Sequence, residues 1–221
     1  MYFATFMSIG DWNDLLYKGK FIKTKTDFDS IKQFGKTLGY TPIFCIPIET
    51  MKETLFRFVF TSCNAPQKLV VFRSNRIKYI EFVNWMNYVN GYESNIRVLP
   101  FKTKNYCEGI VDYITPDEVV EKYDISCRPL ISSGYTSSEL TCHDDWLEFV
   151  FSKKLNKILT KFCDNKESKS YYLKDIMKVS LDEQQEFMYL NMKLNMGSNK
   201  INENDINAIR NFVYNKLIKN K

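Results

Sequence analysis

A chain of 221 residues that is 44% hydrophobic and 15% aromatic can bury a core, which excludes disorder as its default state. It has no apolar run near the roughly 20 residues of a membrane span, and its start, MYFATFMSIGDW, has no basic segment and meets Asp11 early, unlike a secretory signal. The formal charge of +5 turns the search for partners towards anions.

From Met1 to Ile9, Phe3, Thr5 and Met7 alternate against Tyr2, Ala4 and Phe6, which predicts a strand. A short helix follows through Trp12, Leu15 and Leu16 and stops near Gly19. Thr26 with Asp29 resembles a capping box, and Phe28, Ile31, Phe34 and Leu38 recur at helical spacing before Gly39. Thr41 to Glu49, TPIFCIPIE, is extended, and its two prolines make it an edge strand or a poorly paired one. Thr54 to Thr61 sets Phe56, Phe58 and Phe60 against Leu55, Arg57 and Val59, a half-buried strand. The NAPQ turn then allows an antiparallel hairpin with the strand beyond it.

That next stretch, Lys68 to Gly91, carries the strongest functional signal. It predicts a buried strand (Leu69 to Phe72), a basic turn (Arg73 to Arg76) and a helix over 77–90 with Ser74 as N-cap. The N–H groups and dipole of a helix start favour an anion, and Arg73, Arg76 and Lys78 surround the same spot. A strand, a polar turn and a helix are also the ordinary unit of many domains, and no Gly-rich nucleotide fingerprint accompanies this one. Ile96 to Phe101 and Glu108 to Tyr113 predict two further short strands. Thr115, Pro116, Asp117 and Glu118 open a helix expected to reach Tyr123.

The fold class expected is therefore α+β, with a mixed α/β part over 1–125 holding about five strands and three helices. A Ser/Thr-rich loop, Ser126 to Thr141, lies within a linker over 126–143. From Asp144 only helices are predicted, and 144–221 is expected to form a helical bundle or appendage. Its helices are 144–163, one opened by Ser180 and Glu183 and ended by Gly197, and one over about 204–218. The run 187–196 is rich in methionine and fits core packing or a partner groove.

Charge is not evenly spread. Lys68, Arg73, Arg76, Lys78, Arg97, Lys102 and Lys104 face only Glu81 and Glu93 within 68–104, and Tyr79, Tyr88, Tyr92 and Phe101 are interleaved with them. Basic groups neutralise phosphates and aromatic faces stack on bases, so this mixture suits a nucleic-acid surface. The expected binding set is Arg73, Ser74, Arg76, Lys78, Tyr79, Tyr88, Tyr92, Arg97, Lys102 and Lys104. The same residues also fit a soluble surface over an aromatic core.

Catalytic signals are sparse. The single histidine, His143, sits in Thr-Cys-His-Asp-Asp (141–145), but neighbouring residues rarely converge on one atom, and no CxxC pair supports zinc. Cys45, Cys63, Cys107, Cys127, Cys142 and Cys163 are scattered, as free thiols in a reducing compartment would be. PDEVVEK (116–122) holds the residue types of a nuclease Asp/Glu/Lys set, but a helix there would not present them on a strand. No triad, Walker loop or Rossmann glycine series occurs. No cofactor and no metal is expected. The composition, rich in Lys, Asn, Ile, Tyr and Phe, fits an AT-rich genome.

Taken together, the residues predict a non-enzymatic binding or regulatory protein. It would dock on a cytoplasmic assembly containing nucleic acid, RNA above DNA, such as a ribosome or a viral replication complex, with a protein partner and no membrane. The alternatives are a divergent nucleotide- or nucleic-acid-processing enzyme with phosphate at the Ser74 helix start, and an interaction subunit using the C-terminal helices.

Overall fold

The computed structural model describes residues 1–24, 26, 29–51, 54–55, 62–63, 66–105, 107–126, 128–129, 149 and 152–163. Its strands are β1 (Phe3–Met7), β2 (Ile43–Pro47), β3 (Ser62–Cys63), β4 (Gln67–Phe72), β5 (Lys78–Glu81), β6 (Cys107–Val111), β7 (Val119–Ile125) and β8 (Arg128–Pro129). Its helices are α1 (Ile9–Lys18), α2 (Asp29–Leu38), α3 (Phe82–Val89) and α4 (Lys153–Phe162). Six strands form one antiparallel sheet in the order β5-β6-β2-β1-β4-β7, and β3 pairs separately with β8. The described part is α+β.

Strand alternation divides the apolar residues between two faces. On the first lie Phe3, Met7, Ile43, Cys45, Val70, Phe72, Tyr79, Cys107 and Val111, covered by Trp12 and Leu15 of α1. On the second lie Ala4, Ile46, Leu69, Val71, Ile80 and Ile110, covered by Ile31 and Phe34 of α2, Trp85 and Met86 of α3 and Leu155, Ile158 and Phe162 of α4. The central strands are buried on both sides, so they read as continuous apolar runs. The sheet also curls. Phe3 and Tyr79 stand on strands three positions apart, about 14 Å at a spacing of about 4.8 Å, yet their ring centroids are 6.2 Å apart on the first face.

Local signals explain several elements. Ser8 opens α1 by accepting from the Asp11 N–H at 3.1 Å, while its own N–H donates to the Asp11 carboxylate at 3.2 Å, a full capping box. Gly19 ends α1 in the left-handed region at φ 66°, which costs glycine nothing. Ser152 caps α4 by accepting from the Leu155 N–H at 3.1 Å. α2 begins at Asp29, three residues after Thr26.

Pairing overrides other expectations. The helix predicted over 77–90 starts only at Phe82, because Lys78 to Glu81 are taken into β5 against β6. Ser74 is therefore not a helix cap; its Oγ accepts from the Arg76 N–H at 3.3 Å within a turn. The helix predicted from Pro116 to Tyr123 is a single 3-10 turn (Pro116–Glu118), followed by β7, because β4 offers an open side for pairing. The Pro-rich segment is an interior strand between β1 and β6, not an edge; Pro42 precedes it and Pro47 ends it, where no ladder N–H to β6 is needed. Ile96 to Phe101 contributes only an isolated bridge, Tyr79 to Leu99.

β4 already has β1 and β7 on its two sides, so it forms no hairpin with 54–61. Thr54 and Leu55 are helical and buried, and 56–61 lie outside the described residues. Of the loop expected over 126–141, Arg128–Pro129 is taken into β8 by pairing with β3, and 127 and 130–141 lie outside the described residues, as do His143, the helices over 180–197 and 204–218 and the run 187–196. Among the described residues no helix is long and apolar enough to cross a membrane.

Candidate nucleic-acid interface

The predicted binding residues separate into two groups. The first lies on the connection 73–77, which leaves β4 and crosses the curled sheet to β5 with Ile77 buried on the first face. The connection 112–118, from β6 to β7, crosses the same face with Ile114 buried beside it. Arg76 joins the two. Its Nε donates to Asp112 at 3.2 Å, and its guanidinium donates to the Tyr113 carbonyl at 3.0 Å and to Glu118 at 2.8 Å. It also stacks 3.8 Å from the centroid of the Tyr113 ring, which Lys20 approaches at 3.6 Å.

Burial pushes the Glu118 carboxyl up, but bonds from Arg76, Ser74 and the Thr115 N–H outweigh it, and the group titrates below the usual carboxylate range. Arg73 lies 3.9 Å from the centroid of the Tyr2 ring and donates to the Tyr2 hydroxyl. The spot predicted to hold phosphate is thus a clasp between two chain crossings. A helix start is absent, and the Arg76 donors already point at carboxylates.

The second group lies along β5 and the return loop 92–105 outside it. This loop is fixed at three places. Tyr92 and Glu93 donate their N–H groups to the Asn87 carbonyl at the end of α3. Leu99 exchanges both backbone bonds with Tyr79, each at 2.8 Å. Glu81 then accepts from the Thr103 hydroxyl at 2.8 Å, from the Asn105 amide at 3.0 Å and from the Asn84 amide at 3.5 Å. Lys78, Arg97 and Lys104 are exposed on this edge, and none of them forms an ion pair among the described residues. Tyr92 is 72% exposed and Phe101 68% exposed.

Tyr79, Tyr88 and Lys102 of the predicted set, and the neighbouring Lys68, are engaged with other side chains. Tyr79 is a core ring at 9% exposure, with its hydroxyl 3.7 Å from Sδ of Met1; burial, then the Cys45 thiol, hold it above its ordinary range. Tyr88 packs against Phe34 and Trp85, and burial raises it too. The buried Tyr79 ring is not available for stacking on a base, and Tyr88 is half-buried. Lys102 sits 3.7 Å from Glu49. Lys68 pairs with Asp124 across β4 and β7.

The chain matches no family model, no curated protein and no solved structure.

The candidate chemical motifs are dispersed by the sheet. Glu121 and Lys122 do lie on a strand, contrary to the helix expected there, but strand alternation sends them to opposite faces. Glu121 pairs with Lys161 of α4, and Lys122 stands 4.8 Å from the centroid of the Trp12 ring beside α1. Among the described residues no three His, Cys, Asp or Glu side chains are grouped to hold a metal. Cys45 and Cys107 are free, buried thiols, and burial followed by the charge of Glu108 pushes Cys45 well above the ordinary thiol range. A thiol so raised stays protonated and is a poor nucleophile. Sequence reasoning left Phe101 out of the binding set. The sequence offers only a weak signal for it, a large apolar ring between Pro100 and Lys102.

Proposed function

We propose that this chain is a non-enzymatic binding protein that docks on a nucleic-acid-containing assembly through the outer edge of β5 and the return loop 92–105. One observation carries this reading. Of the basic residues clustered in 68–104, Lys68, Arg76 and Lys102 are turned to carboxylates and Arg73 to Tyr2, while Lys78 on β5 and Arg97 and Lys104 on the return loop remain solvent-facing, as do Tyr92 and Phe101 on the same loop. Exposed cations outside internal ion pairs can neutralise phosphates and release the counterions condensed on the nucleic acid, and a loop fixed at three points loses little freedom on docking. The enzyme alternative loses its premise with the helix start at Ser74.

The test is gradient sedimentation of the full chain with a native cell extract at low and high salt. The protein is expected to migrate with nucleoprotein at low salt and to be released by salt or nuclease. The triple variant Lys78→Gln, Arg97→Gln, Lys104→Gln is expected to remain free at both. A wild-type protein that migrates as a small free species at low salt overturns the reading.

A further inference from the structure

Resting on that reading, we infer that the β5 edge takes an unpaired segment of RNA, with Tyr92 and Phe101 stacking on bases and Lys78, Arg97 and Lys104 meeting the phosphates. β5 and the return loop beside it hold two kinds of group. The cations alone would suit any polyanion. The two rings would not: in a duplex the base faces are covered by their neighbours, and only an unpaired strand offers a face to a ring. Phe101 has no polar atom to gain from solvent, yet it stays 68% exposed while Leu99, two residues before it, is buried under the first face.

The loop is positioned for such contacts. The Leu99–Tyr79 bridge holds the middle of the loop flat against β5, and the Glu81 clamp on Thr103 and Asn105 fixes the turn beyond Phe101. Tyr92 is set at the other end by the Gly91 turn that closes α3 at φ 75°. The anchored backbone sets where both rings emerge before the ligand arrives. The chain in between carries Arg97, whose guanidinium can both stack and contact phosphate. Unpaired stretches are a standing feature of folded RNA, in loops, bulges and ends, whereas DNA exposes them only when its duplex is opened.

Fluorescence anisotropy on the full chain tests this with three labelled probes of mixed sequence: a single-stranded RNA of about 12 nucleotides, within the site sizes of stacking platforms, the same RNA annealed to its complement, and the matching single-stranded DNA. The single-stranded RNA is expected to bind about tenfold or more tighter than the duplex. The pair Tyr92→Ala, Phe101→Ala should weaken that binding about tenfold or more and leave its salt slope unchanged, and Phe101→Trp alone should bind at least as well as wild type. The Lys78/Arg97/Lys104→Gln triple should instead flatten the slope of log K on log salt by about 2.

Equal binding to strand and duplex, with the alanine pair behaving as wild type and the triple still impaired, overturns this inference and leaves the docking surface standing. Tighter binding to the DNA strand overturns the choice of RNA. Failure to bind any probe at low salt overturns the inference and the reading beneath it. Both rings are largely exposed, so unchanged melting of the alanine pair is the expected folding control.

Discussion

Arg76 donates to Glu118 at 2.8 Å, and that bond ties together two chain crossings far apart in sequence, 73–77 and 112–118. Both lie over the first face of the sheet, and Arg76 also holds Asp112 and the Tyr113 carbonyl. Arg76→Ala is expected to destabilise the fold by about 1.5–3 kcal/mol, the usual range for hydrogen bonds to charged groups. Arg76→Lys keeps the charge but loses the planar fork and is expected to recover only part of this. Urea denaturation checks both. Unchanged midpoints would show that the clasp contributes nothing to the fold.

Acid should weaken the same clasp. Glu118 titrates below its ordinary range once the Arg76, Ser74 and Thr115 bonds have outweighed burial, and the Lys161 bond lowers Glu121 in the same direction. A carboxylate lowered on folding adds stability that is fully present above its unfolded value of about 4.3. That stability is lost as the pH falls through the lower folded value. The urea midpoint is therefore expected to drop below about pH 4.3, and Glu118→Gln should show a lower midpoint at neutral pH with a shallower acid slope. Parallel pH profiles for the two proteins would contradict this.

Gly109 is required by its neighbour across the sheet. A Cβ placed there would lie 2.7 Å from Sγ of Cys45, 3.2 Å from Cγ2 of Ile77 and 3.3 Å from the Cys45 carbonyl. Gly109→Ala is expected to cost about 1–3 kcal/mol through overpacking. Because the closest contact is a side-chain sulfur, Cys45→Ala in the same chain should recover part of that loss, and a double-mutant cycle on denaturation midpoints measures the coupling. Additive single effects would place the strain elsewhere.

α4 should share its stability with the sheet. Leu155 and Ile158 are fully buried in the cluster that contains Ala4, Leu69 and Val71, and the Phe162 ring lies 5.1 Å from Tyr2. Leu155→Ala is expected to cost about 2–5 kcal/mol. Amide exchange at β1 and β4 should accelerate with it. If those amides kept their protection while only the helix lost its own, α4 would unfold as a separate unit.

Signals carried by a few adjacent residues read the same way in the sequence and in the fold. The alternation of Phe3, Thr5 and Met7 against Ala4 and Phe6 assigns both faces of β1, and Gly19 stops α1 where its left-handed φ says it must. Thr115 and Glu118 close their capping box, with a proline at the first position. The strand beyond that box could not be read from it. Val119 to Ile125 is apolar and charged in a mixture that serves helix or strand, and the open side of β4 decided in favour of a strand. The apolar run from Ile77 onward was split for the same reason, four residues going to β5 and the next eight to α3.

The candidate surface shows the same division. Composition located the charge excess and the aromatics within one stretch, and it named Lys78, Tyr92, Arg97 and Lys104 among them. It could not separate these from Arg76, because the partners of Arg76 are Asp112 and Glu118, brought near only by two crossings of the sheet. Nor could it set Tyr79 apart from Tyr92, since burial of Tyr79 depends on Phe3 and Cys45 from other strands. Capping, turns and strand parity act between neighbours in the chain, so the sequence by itself determined them. Strand order, the Arg76 clasp and which cations stay exposed depend on contacts between distant segments, and those the tertiary structure alone decided.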